Sequence, residues 1–174
     1  EKAAGEVLEM INHSHKALVG IINQIRQLSQ SLVPPSLGDL GLIESIQELC
    51  DSIKRAHTFG INFFSRHFSE EQLPENLKLM LFRIIQEQVN NIVRHAEAKS
   101  VQIKLQSDAE YIILTVSDDG KGFDRANYIK GLGFSNVSNR ASLFNGKVEI
   151  ESSPGNGCKL SVIIPLENGT ADMN

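Results

Sequence analysis

Pro34 and Pro35 are adjacent, and no α-helix runs uninterrupted through such a pair, because proline lacks the amide donor and pushes its predecessor out of helical geometry. The chain therefore reads as two regions. Up to residue 33 there is no proline, and Leu8, Ile11, His15, Leu18, Ile22, Ile25, Ser29 and Leu32 recur at alternating spacings of three and four. That periodicity predicts a heptad seam. It is read as one strand of an intermolecular helix bundle, and hence a homodimer; a single amphipathic helix packed inside its own domain is the alternative.

Beyond the prolines the pattern changes. Asp39 is placed to cap a helix through Leu42, Ile46, Leu49 and Ile53, and Gly60 precedes a short strand over 61–68. A longer helix is expected from about Pro74 to Ala96, with Leu77, Leu81, Ile84, Ile85, Val89 and Ile92 facing inward. Strands follow near 101–106 and 111–116, then a glycine-rich loop, a helix over 136–144, and strands near 147–151 and 159–164. Short turns at Asn145-Gly146 and Pro154-Gly155 imply a mixed or largely antiparallel sheet. The expected fold is an α+β two-layer sandwich with helices on one face, preceded by a long helix. The tail 167–174 is expected to be disordered.

Composition narrows the partners. The chain has 174 residues and a net charge of −4, enough for one domain plus an appendage and without the basic field that nucleic-acid binding needs. Nucleic acid is not expected as a partner. Cys50 and Cys158 have neither paired spacing nor neighbouring histidines, so a zinc site or disulfide scaffold is not expected and a reducing, cytoplasmic setting fits. No apolar run approaches the roughly 18 residues that span a bilayer. Membrane contact by this segment is not expected, and the glycosylation-like matches at Asn136 and Asn168 carry no weight.

Three constellations carry chemistry. On the helix QEQVNNIVRHAEAKS, Glu87, Asn91 and His95 are four apart and Arg94 is three from Asn91, which makes one polar face. An amide oxygen there suits Mg²⁺, and a carboxylate one turn earlier can accept a proton; a solvated helical face and a buried structural histidine are the bland readings. In VSDDGKGFD a strand ends at Asp118, followed by Gly120 and Gly122. A carboxylate there can accept the exocyclic amine proton of adenine, and the glycines allow close backbone approach; a type I′ hairpin turn is the alternative. Gly131, Leu132 and Gly133 lead into a helix, where free amides and the positive dipole end suit phosphate. Arg125 and Lys130, in the short polar lid before them, could reach phosphate oxygens or simply be solvated.

Specificity lies in the order: E-x-x-x-N on a helix, D-x-G-x-G after a strand, G-x-G before a helix, then P-G-x-G with Gly155 and Gly157 before the last strand. This order resembles the ATP-binding fold shared by sensor histidine kinases, type II topoisomerases, Hsp90-type chaperones and MutL-type repair proteins. Within it, LVPPSLGDLGLIESIQELC, IIQEQVNNIVRHAEAKSV and GLGFSNVSNRASLFNGKVEIESSPGNG are similar to histidine kinases paired with helix-turn-helix response regulators.

The resemblance implies a dimerisation helix segment over 1–35, a Bergerat-type ATP-binding domain over 36–166, and the cofactors ATP and Mg²⁺. It implies Glu87 as catalytic base, Asn91 as Mg²⁺ ligand, and Arg94, His95, Asp118, Gly120, Gly122, Lys130, Gly131, Leu132, Gly133, Gly155 and Gly157 around the nucleotide. The γ-phosphoryl would pass to a histidine and then to an aspartate of a response regulator. An ATP-gated protein-binding switch or an anti-sigma-factor-like serine kinase is the alternative. Cys158 departs from the threonine usual in the family, which puts a hydroxyl contact there in doubt. In the family the acceptor histidine is followed by an acidic residue; here the five histidines precede Ser14, Lys16, Thr58, Phe68 and Ala96, so self-phosphorylation by this chain is not expected.

Overall fold

The computed structural model describes residues 35–71, 73–124 and 132–166. The heptad seam, the tail 167–174, and Arg125, Lys130 and Gly131 lie outside the described residues.

Helix α1 (Pro35–Leu40) is short, with proline in its first turn, where the missing amide costs nothing. Helix α2 (Leu42–Ala56) follows after Gly41 at φ 85. The N-cap position expected for Asp39 is held by Gly41, and Asp39 lies in α1. The cap comes from far along the chain: the Glu70 carboxylate accepts the amide hydrogens of Leu42 and, at 3.4 Å, of Ile43. A carboxylate over a helix N-terminus satisfies orphan donors and complements the dipole. Glu70→Ala is therefore expected to cost about 1–2 kcal/mol, read as a lower midpoint in chemical denaturation with an unchanged slope.

Strand β1 (Gly60–Arg66) is shorter than the 61–68 expected, because His67 turns to φ 53 and leaves extended geometry. Helix α3 (Glu75–His95) follows, then β2 (Ser100–Ser107) and β3 (Tyr111–Asp118). Helix α4 runs over Leu132–Ser142, β4 over Lys147–Ser152 and β5 over Cys158–Pro165. Helix α4 starts and stops earlier than the 136–144 expected. Asn145 at φ 53, with the Gly146 amide bonded to the Ala141 carbonyl at 2.9 Å, closes this helix; the pair does not join two strands as expected, whereas Pro154-Gly155 does.

The sheet order is β1-β2-β3-β5-β4. Strands β1 and β2 are parallel and the other pairs antiparallel. The parallel pair needs a crossover, and α3 supplies it. Register aligns Ile103, Val116 and Leu160 across three strands, and likewise Leu105, Leu114 and Val162, all buried. Against this row α3 places Leu77, Leu81, Ile84, Ile85, Val89 and Ile92, all buried as expected, together with Met80 and Phe82. Burying one such side chain is worth about 1.5–3 kcal/mol, so this layer fixes α3 rigidly on the sheet. No helix among the described residues is long and apolar enough to cross a membrane.

Candidate functional site

The C-terminal half of α3, the end of β3 and the start of β5 surround a cavity of about 360 Å³. From α3 come Gln88, Asn91, Ile92, His95 and Ala96; from β3 and the loop after it come Asp118, Lys121, Gly122 and Phe123; β5 contributes Cys158. These pieces are joined through backbone and through the side chains of Ser152 and Asp119. The Lys121 amide donates to the Ala96 carbonyl at 2.8 Å, and the Gly155 amide donates to the Lys121 carbonyl at 2.7 Å. Ser152 Oγ accepts from the Phe123 amide at 3.0 Å and donates to the Gly157 carbonyl at 2.7 Å. The Asp119 carboxylate accepts from the Lys99 and Ser100 amides, each at 2.8 Å. Those bonds keep its pKa low and give it a structural task, tying the turn after α3 to the end of β3.

Asp118 behaves differently. It is the last residue of β3, its Oδ1 accepts from the Gly120 amide at 2.9 Å, and burial pushes its carboxyl above the usual carboxylate value. The Asp119 charge adds to that rise, while the Gly120 and Cys158 amides oppose it. An anionic acceptor in a partly dry slot, beside Ile92 and Phe123, is matched to a flat ligand that carries an amine donor. Opposite it in the sheet stands Cys158. Burial and the Asp118 charge push its thiol up to about 11, so it stays protonated at neutral pH and offers only a weak donor.

The glycines divide by task. At Gly157, with φ +67, a β-carbon would overlap the Asp118 carbonyl oxygen and lie 3.1 Å from the Asp119 Cα. Only a residue without a side chain lets β5 approach β3 there. At Gly120 a β-carbon would overlap the Ala96 carbonyl oxygen, so this glycine lets the loop close on the end of α3. Gly122 lines the cavity, whereas a β-carbon at Gly155 would meet nothing within 4 Å.

Of the residues anticipated from sequence, Asn91, His95, Asp118 and Gly122 line the cavity directly. Gly120 and Gly157 shape it from behind. Glu87 is half-buried and Arg94 exposed on α3, and neither is among the lining residues. Leu132 and Gly133 form the first turn of α4 and do not precede it, which still puts their amides among the N-terminal donors that have no partner within the helix. No group of three or more His, Cys, Asp or Glu side chains that could hold a metal ion occurs among the described residues. The donor set instead fits a hard cation held by one amide oxygen, that of Asn91, together with ligand oxygens and water. Gln88, Lys121 and Phe123 were not singled out beforehand. Gln88 precedes Asn91 by three and Ile92 by four, so helical spacing alone could have placed it on this face.

The sequence profile described as histidine kinase-, DNA gyrase B-, and HSP90-like ATPase matches residues 76–168. Among relatives, the oxygen sensor histidine kinase NreB of Staphylococcus carnosus is 32% identical over 164 residues, covering 91% of this chain and 47% of its own length. The sensor histidine kinase MctS of Rhizobium johnstonii is 35% identical over 159 residues, covering 89% of this chain and 34% of its own length. The chain spans less than half the length of these relatives. Among solved structures, the Acinetobacter baumannii histidine kinase AdeS superposes with a TM-score of 0.63 at 13% identity, covering 88% of this chain and 84% of that one. At that identity the likeness speaks for the fold alone.

Proposed function

The chain belongs to the histidine kinase-, DNA gyrase B- and HSP90-like ATPase family, and from that premise we propose that it is the nucleotide-binding catalytic part of a sensor histidine kinase. One observation carries the reading: a half-buried carboxylate, Asp118, shares a cavity with an amide-bearing helix face at Asn91. The substrate is ATP. Its adenine occupies the slot between Ile92 and Phe123 with the amine on Asp118, and its phosphates lie toward Asn91 and His95. Mg²⁺ held through the Asn91 oxygen would neutralise phosphate charge in the transition state. Lys130, Gly131, Leu132 and Gly133 belong on the phosphate side in this reading.

In the transfer, an imidazole nitrogen of the acceptor attacks the γ-phosphorus, the bond to the bridging oxygen breaks and ADP leaves. Glu87, one turn before Asn91, accepts the imidazole proton. Little covalent chemistry is asked of the protein, so positioning dominates. The phosphoryl group then passes to an aspartate of a response regulator. The kinases NreB and MctS support this assignment by sequence. Residues 1–33 are proposed to self-associate through their apolar seam, and the acceptor histidine is proposed to lie on another stretch of the parent protein.

Radiolabelled ATP tests the function. Added with a longer, acceptor-bearing chain, it is expected to give an alkali-stable, acid-labile label, absent from the present chain alone. An acid-stable label would point to serine instead, and label on His13 or His15 would place the acceptor here. Asn91→Ala is expected to weaken Mg·ATP binding by about tenfold while leaving Mg²⁺-free binding and thermal stability unchanged. Equal loss with and without Mg²⁺ would remove Asn91 from the metal.

A further inference from the structure

Gln88 is 4% exposed, and its Nε2 is the buried side-chain polar atom left without a hydrogen-bond partner among the described residues. It nevertheless lines the same cavity as Asp118. An unpaired buried donor costs stability, and such atoms in folded proteins call for an explanation. The explanation here is a ligand atom that arrives with the nucleotide.

Depth along α3 indicates which part of the nucleotide that is. Gln88 and Ile92 are buried, Asn91 is half-buried and His95 is exposed. Phosphates, which are charged and hydrated, belong at the open end with Asn91 and His95; the base, flat and weakly polar, belongs at the closed end with Gln88, Ile92 and Asp118. An ionised Asp118 can only accept, so it takes the exocyclic amine of adenine. The ring nitrogens flanking that amine are acceptors, and they need a donor.

Resting on the nucleotide-binding reading above, we propose that Gln88 is a specificity-determining residue whose side-chain amide donates a hydrogen bond to one of the adenine ring nitrogens beside the exocyclic amine. Asp118 and Gln88 then form an acceptor and donor pair that reads the adenine edge. Guanine fails against Asp118, to which it presents a carbonyl, and fails against Gln88 as well where the nitrogen read is N1, which guanine carries protonated.

Two variants separate this role from a packing role. Gln88→Met keeps the length and apolar contacts and removes the donor; Gln88→Glu replaces the donor with an acceptor. Calorimetric titration with ADP is expected to show about a tenfold loss of affinity for Gln88→Met and a larger loss for Gln88→Glu, while the nucleotide-free melting temperature of Gln88→Met rises, because the orphan donor is gone. With 1-deaza-ADP and 7-deaza-ADP, one analogue is expected to bind wild type about tenfold more weakly and to lose nothing further in Gln88→Met. Unchanged ADP affinity in a folded Gln88→Met protein would overturn the proposal, as would deaza losses that simply add to the variant's loss. Failure of wild type to bind ADP at all would overturn the nucleotide reading itself.

Discussion

Asp118→Asn is expected to bind adenine nucleotides about 10- to 100-fold more weakly than wild type without melting at a lower temperature. A hydrogen bond to a charged acceptor contributes about 1.5–3 kcal/mol, and an asparagine whose oxygen stays on the Gly120 amide has only an amide nitrogen left to turn toward the ligand's amine. Stability moves the other way. Burial raises the Asp118 pKa above the ordinary value of 3.8, so the folded protein holds this proton more tightly than the unfolded chain does. Stability is then lost as pH rises through the window from 3.8 to the raised value, and the penalty persists at neutral pH. The nucleotide-free variant should therefore melt at the same temperature as wild type or higher near pH 7, with the advantage shrinking as the pH is lowered through that window. Titration calorimetry and thermal melts at several pH values check both halves, and undiminished ATP affinity in the variant would dismiss Asp118 from base recognition.

Gly157→Ala is expected to be among the most damaging single methyl groups in the domain. It combines a left-handed conformation, costing roughly 1–2 kcal/mol for a residue with a β-carbon, with overlap onto the Asp118 carbonyl, and overpacking of that kind adds about 1–3 kcal/mol. Because the atom displaced belongs to Asp118, nucleotide affinity should fall together with stability. Gly155→Ala is the control. It has φ +80 but no atom within 4 Å of its β-carbon, so it should show only the conformational cost. Similar melting temperatures for the two variants would mean that β5 can move away from β3 without loss.

Much of this architecture was legible in the sequence, for reasons that differ by element. The inward face of α3 repeats apolar residues at helical spacing, and periodicity of that length is decided by burial against the sheet; the structure buries each of the six residues expected to face inward. The alternation in β2 and β3 was equally plain. Asp118 stood out because a carboxylate at a strand end before alternating glycines has few uses. What sequence could not supply was pairing over distance. Asp39 looked like the cap of α2 because it is local, yet Glu70, 28 residues beyond Leu42, supplies that cap. Gln88 was passed over for another reason: helical spacing puts it on the face of Asn91 and Ile92, but its burial depends on what packs against α3.

The seams around the cavity have a consequence for how this protein can change. The bonds from the Lys121 amide to Ala96 and from the Gly155 amide to Lys121 use peptide groups, which every residue except proline carries. Substitutions at Lys121, Asn156 or Ala96 that spare the backbone leave those bonds standing, so sequence drift is cheap there and dear at Gly120, Gly122 and Gly157, where a β-carbon would overlap backbone oxygen. On the proposed reading, a designer seeking altered base preference has a short list of side chains to vary, Gln88, Asp118 and Cys158, of which Asp118 also holds the loop through the Gly120 amide.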